Sequence, residues 1–151
     1  MDNIKITGVD KKEFPVLTDI WEAAVRATHL FLSDQDIAYF RPLVLNNFLP
    51  IVKLFAARDF DGRILGFGGT SEEKIEMLFV DPALFGNGIG KTLLKHIIQE
   101  EKIYKLDVNE QNPSAVQFYK KMGFEVVARS ATDSMGKPYP LLHMEYKRYD
   151  F

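Results

Sequence analysis

The stretch Leu78-Phe79-Val80-Asp81-Pro82-Ala83-Leu84-Phe85-Gly86-Asn87-Gly88-Ile89-Gly90-Lys91 decides how this chain is read. A strand runs to Val80 and stops at Asp81-Pro82. Three glycines at every second position then lead into a helix over Lys91 to Lys102, with Leu93, Leu94, Ile97 and Ile98 on one face. Glycines let a backbone turn tightly and approach a ligand closely. The N–H groups of such a loop and of the first helical turn point one way, and the helix dipole adds partial positive charge. That arrangement holds a phosphate or pyrophosphate without a basic side chain. The plainer use of such a loop is a turn that lets a helix pack closely on its strand. Two known phosphate motifs do not fit. The dinucleotide fingerprint needs G-x-G-x-x-G, and here the glycines alternate. Gly90-Lys91-Thr92 would end a P-loop, but its first glycine is Phe85.

Outward from the loop, the elements follow one another without a repeat or a linker, so the chain reads as one domain over residues 1–151. Ile4 to Val9 reads as a short strand. Phe14 to Leu32 carries Leu17, Ile20, Trp21, Ala24, Val25, Thr28 and Leu32 at helical spacing. Ser33-Asp34-Gln35-Asp36 has cap chemistry for a second helix, which Arg41-Pro42 either bends or begins and Pro50 ends. Strands are expected over Lys53 to Arg58, Ile64 to Thr70 and Lys74 to Val80, the first two joined through the turn pair Asp61-Gly62. Beyond the glycine loop and its helix come a strand over Tyr104 to Val108 and a helix opened by Asn112-Pro113 and closed by Gly123. Strands over Phe124 to Ser130 and Leu141 to Tyr149 finish the chain. The order β-α-α-β-β-β-α-β-α-β-β predicts a mixed α/β (α+β) fold. Its central sheet is mixed, mostly antiparallel and twisted, with helices on both faces.

Composition narrows the function. Hydrophobic residues make up 46% and charged residues 26%, so a core forms without a metal or disulfide staple. The net charge of −2, with no long basic run, speaks against nucleic-acid binding. No apolar run is long enough to cross a membrane, and Met1-Asp2-Asn3-Ile4-Lys5 is no signal peptide. A cytoplasmic protein, monomer or homodimer, is expected. The chain has no cysteine, which excludes any mechanism that parks an acyl group on a protein thiol.

Two motifs together give the chain a resemblance to the GNAT superfamily of N-acetyltransferases. Leu78, Val80 and Pro82, followed by Gly88 and Gly90, match the family's strand and its [QR]-x-x-G-x-[GA] loop, with Phe85 standing where Gln or Arg is usual. Asn112, Ala115, Phe118, Tyr119, Gly123 and Phe124 satisfy every position of N-x-x-A-x-x-F-Y-x-x-x-G-F. The segments 27–32, 108–112 and 136–142 are similar to a bacterial branch of small stand-alone enzymes within that superfamily.

The resemblance implies an acetyl-CoA-dependent N-acetyltransferase that transfers the acetyl group directly to a primary amine of a small molecule or peptide, through a ternary complex and without a metal. The alternative is an acetyl-CoA sensor module of the same fold. Cofactor binding would fall to Leu78, Phe79 and Val80, alongside which the pantetheine arm pairs. It would also involve Phe85, Gly86, Asn87, Gly88, Ile89, Gly90 and Lys91 at the pyrophosphate, and Asn112 and Tyr119. Phe85 is expected to alter pyrophosphate affinity at most. Tyr119 is the candidate general acid for the departing thiolate. Glu76 is the first candidate base and His29 the second; Asp107 and a water relay stay open. Trp21, Phe31, Tyr39 and Tyr139 are candidates to line an aromatic acceptor pocket.

Overall fold

The computed structural model describes residues 3–147, which divide into two compact units between Ile103 and Tyr104. The first unit contains β1 (Lys5–Thr7), α1 (Phe14–Thr28), α2 (Asp34–Leu43), β2 (Lys53–Arg58), β3 (Ile64–Thr70), β4 (Lys74–Val80) and α3 (Ile89–His96). Its four strands pair antiparallel in chain order, with Ile6 opposite Ala57, Ala56 opposite Phe67 and Gly68 opposite Leu78. The β2–β3 turn is set by Asp59, whose carboxylate accepts the N–H groups of Asp61 and Arg63 at 2.9 and 3.0 Å. Gly62 takes the positive φ of 84° that the turn requires.

Both faces of this sheet are covered. On one side Leu17, Ile20, Trp21 and Val25 of α1, with Ile37 of α2, pack against Ala56 and Phe67. Leu17 and Phe67 are fully buried, each removing enough apolar surface to be worth about 1.5–3 kcal/mol. On the other side α3 lies on Gly66 and Gly68. A Cβ at Gly66 would sit 3.2 Å from the Ile89 side chain and 2.9 Å from the Phe79 carbonyl oxygen. One at Gly68 would sit 3.1 Å from the Ile97 side chain. Two missing side chains thus let the helix settle directly on the strand.

The second unit contains β5 (Lys105–Asn109), α4 (Pro113–Lys121), β6 (Phe124–Ser130) and β7 (Leu141–Tyr146). Here β7 lies between β5 and β6 and is antiparallel to both. Leu106, Val108, Phe124 and Met144 form its buried face, where the Tyr119 ring of α4 stands 5.8 Å from that of Phe124. Side chains alternate along a strand, so Asp107 and His143, directly opposite each other, share the other face. The expected mixed α/β class with mostly antiparallel strands is what these units contain.

Several boundaries differ from the sequence expectation. The strand expected over Ile4 to Val9 is only Lys5–Thr7. The first helix stops at Thr28 rather than Leu32. His29 leaves helical dihedrals, and the Ser33–Asp36 capping box restarts the chain as α2. Pro42 lies within α2, neither starting it nor stopping it, and the wider turn Val44–Phe48 follows directly. A proline removes a helical N–H and crowds the preceding turn, which favours such local widening. Pro50 sits inside a tight final turn, Leu49–Ile51. The glycine-loop helix begins at Ile89, two residues early, and its last part widens over Ile97–Glu101 before Lys102 turns away at φ 56°. β5 is shifted one residue from the expected span. β7 ends at Tyr146, and the expected extension to Tyr149 falls partly outside the described residues.

Candidate active site

The glycine loop is fixed from both ends. Asp81, leaving β4, donates its N–H to the Leu65 carbonyl at 3.0 Å, and its carboxylate accepts the Ala83 N–H at 3.0 Å. A tight turn over Pro82–Leu84 follows, closed by the Phe85 N–H on the Pro82 carbonyl at 3.3 Å. Asn87 bonds back to the Leu84 carbonyl through both its backbone and its side-chain amide, at 3.3 and 3.0 Å. Gly86 and Gly88 adopt positive φ of 85° and 78°, with open space where a Cβ would stand.

Gly88 is the N-cap of α3 and offers no side chain to its first turn. The first helical bond runs from the Thr92 N–H to the Gly88 carbonyl at 3.0 Å. The N–H groups of Gly86, Gly88, Ile89, Gly90 and Lys91 therefore meet no protein acceptor among the described residues. Orphan donors at an exposed helix start call for an anion, and the open space over both glycines admits one. Lys91 is exposed beside them and adds a mobile positive charge. Phe85 is 48% exposed and brings no charge where the family pattern usually has an amide or guanidinium. Its backbone, not its ring, shapes the loop. Leu78, Phe79 and Val80 lead into it on β4, opposite Gly68, Phe67 and Gly66.

The candidate bases differ in surroundings. Glu76 is exposed on β4 and accepts the Ser71 hydroxyl at 2.9 Å. His29 is half-buried at the end of α1, its ring 5.4 Å from that of Phe31, and burial pushes its pKa down to about 4. The Thr28 hydroxyl donates its one proton to the Ala24 carbonyl at 2.7 Å, so the 2.8 Å contact with His29 is made by the ring's Nδ1–H. His29 is then neutral with its Nε2 lone pair unused, the form a base requires. Asp107 lies in the second unit, and its carboxylate accepts Nδ1–H from His143 at 2.5 Å.

The second unit also carries Asn112 and Tyr119, both buried on α4. The Asn112 side-chain oxygen caps the helix by accepting the Ala115 N–H at 3.3 Å. The Tyr119 ring packs edge-on against Phe118 and Phe124. Neither the Asn112 side-chain NH₂ nor the Tyr119 hydroxyl meets a protein partner among the described residues. Yet neither is sealed from solvent, since no buried side-chain polar atom there lacks a partner. Burial pushes the Tyr119 phenol well above its usual range, so it stays protonated at neutral pH. It is a donor held ready.

Of the four aromatics expected at an acceptor pocket, Trp21 belongs instead to the core of the first unit and is 7% exposed. Its place on the inward stripe of α1 leaves it no room to face a substrate. Tyr39 is exposed on α2, while Phe31 and Tyr139 are half-buried. Sequence reasoning missed His143 and Ser130. They lie on different strands, and only the β-register brings them to Asp107; no local spacing announces them.

The acetyltransferase (GNAT) domain family matches residues 34–147. The chain is 45% identical over 143 residues to the peptidyl-lysine N-acetyltransferase YjaB of Salmonella typhimurium, covering 95% of this chain and 98% of that one. Its structure resembles the solution structure of apo-form YjaB from Escherichia coli, with a TM-score of 0.88, 39% identity and coverage of 95% and 97%. More distantly it shares the fold of the PaiA N-acetyltransferase of Thermoplasma acidophilum, solved with coenzyme A. There the TM-score is 0.71 at 21% identity, with 95% and 99% of the two chains covered. Family match, close relatives and fold agree: the chain belongs to the GNAT acetyltransferase family and is an N-acetyltransferase.

Proposed function

We propose that the enzyme moves the acetyl group of acetyl-CoA directly to the side-chain amine of a lysine in a peptide or protein, the whole chain working as one domain in the cytoplasm. The observation that carries the cofactor side is the set of unbonded N–H donors of Gly86, Gly88, Ile89, Gly90 and Lys91, which suits a pyrophosphate. The acceptor class is taken from the close YjaB relatives, whose names specify peptidyl-lysine. Leu78, Phe79 and Val80 receive the pantetheine arm along β4, backbone groups of Leu78 and Val80 pairing with it as with an added strand. Asn112 supplies its free amide donor to that arm.

The chemistry needs two proton movements. A lysine ammonium holds its proton near pKa 10.4 and must lose it before it attacks. Glu76 is the first candidate to take it. His29 is the second reading, favoured by its neutral ring and unused Nε2. The amine then attacks the thioester carbon, the C–S bond breaks, and Tyr119 hydrogen-bonds or protonates the departing thiolate. Burial raises the phenol's proton affinity, and the same dry surroundings raise that of the thiolate. With no cysteine in the chain, no thiol-bound acyl-enzyme intervenes. Tyr39, Phe31 and Tyr139 are left to contact the acceptor.

The test is a thiol-release assay with acetyl-CoA and a lysine-bearing peptide, the product read by mass spectrometry. Stoichiometric thiol and a 42 Da gain on the lysine are expected. Binding of acetyl-CoA with no transfer to any amine would favour the sensor alternative instead.

A further inference from the structure

Asp107, His143 and Ser130 stand in a row across β5, β7 and β6. The Ser130 hydroxyl is 2.6 Å from His143 Nε2, and His143 Nδ1 is 2.5 Å from an Asp107 carboxylate oxygen. The roles follow from donor inventory. An ionised carboxylate only accepts, so Nδ1 carries the ring proton; the Nε2 lone pair then accepts from the Ser130 hydroxyl. This is the order of contacts that activates a serine nucleophile: hydroxyl to base, base to orienting acid. The cross-strand register holds it rigidly, with His143 directly opposite Asp107 and Ser130 two residues beyond the partner of His143.

The group is reachable as well as ordered. The Asp107 and His143 side chains are each about a quarter exposed, and Ser130 is half-buried where β6 gives way to the loop before β7. Ala131, next along the chain, has an N–H that meets no protein acceptor among the described residues. A free backbone donor beside the nucleophile is what a developing oxyanion requires. The three side chains lie on the strand face away from α4, and transfer to an amine with Glu76 or His29 as base gives none of them a role.

We propose that Ser130 is a nucleophile activated by His143 and Asp107, forming a separate acyl-accepting site for small, uncharged acetyl esters. The Ser130 oxygen attacks the ester carbonyl while His143 takes the hydroxyl proton. As the bond to the leaving oxygen breaks, His143 returns that proton to the leaving group, giving O-acetyl-Ser130 and the free alcohol or phenol. Water, deprotonated by His143, then releases acetate and restores the serine. No oxidant, metal or further reactant enters.

The full chain would be incubated with p-nitrophenyl acetate, without coenzyme A, following phenolate release and the acetylated peptide by mass spectrometry. A fluorophosphonate probe would report serine activation independently of turnover. A 42 Da gain on Ser130 and its labelling by the probe are expected, both lost in Ser130→Ala. His143→Gln and Asp107→Asn should each slow phenolate release at least tenfold while circular dichroism stays that of the parent. Acetylation confined to other residues, or release by Ser130→Ala as fast as by the parent, would overturn the proposal. So would Ser130 labelling that His143→Gln leaves unchanged. Because no coenzyme A is used, the result stands apart from the outcome for lysine transfer.

Discussion

Tyr119 and His29 carry opposite versions of one effect, burial acting on a titratable group. In Tyr119 it favours the neutral phenol and preserves a proton to give. In His29 it favours the neutral ring and preserves a lone pair. For Tyr119→Phe, a 10²–10⁴-fold fall in kcat is expected, the usual span for a lost general acid, with the KM for acetyl-CoA little changed. Steady-state thiol release measures both. His29 makes a second prediction through stability. Its folded pKa of about 4 lies below the ordinary 6.5, so the unfolded chain takes up a proton that the folded one refuses. Its contribution is complete above pH 6.5 and is lost as pH falls from 6.5 to about 4. Urea unfolding at pH 7.5 and pH 4 should show the parent losing roughly 2 kcal/mol more than His29→Asn, after allowance for the ring's partial exposure.

At the scale of elements, glycine does two different jobs around α3. Gly66 and Gly68 let the helix approach β3, whereas Gly86 and Gly88 keep the loop in the left-handed region and its surface open. The consequences separate cleanly. Gly66→Ala forces a methyl onto the Phe79 carbonyl and the Ile89 side chain, and should cost about 1–3 kcal/mol of stability in chemical denaturation. Gly88→Ala meets nothing in the protein, so its stability cost should be limited to about 1–2 kcal/mol of backbone strain. Its methyl would take up part of the open space through which an anion reaches the loop, and the KM for acetyl-CoA should rise at least tenfold. The sequence made the loop legible because the alternating glycines behind a strand are followed by a second motif, Asn112 to Phe124, and the two together are far more specific than either alone. It left the role of Gly66 and Gly68 hidden, since nothing local says which helix will lie over a strand glycine.

At the scale of the molecule, legibility followed the range of the interactions. β2, β3, β4 and β6 were read to the residue, because each is bounded by a turn or cap written beside it, such as Asp61-Gly62 or Gly123. The end of α1 was misplaced by four residues and that of α3 by six, because His29 leaves helical dihedrals and the turns from Ile97 onward widen while keeping them, neither with a proline or glycine to announce it. Trp21 was offered to a pocket and lies in the core, a choice that only packing of α1 on the sheet makes. The row of Asp107, His143 and Ser130 depends wholly on strand register. The measurement that bears most directly on the central claim is calorimetric titration of the purified chain with acetyl-CoA. The unbonded donors of the glycine loop predict saturable binding at one site per chain, weakened by Gly88→Ala. A parent protein that gives no binding heat across millimolar acetyl-CoA, over several temperatures, would contradict it.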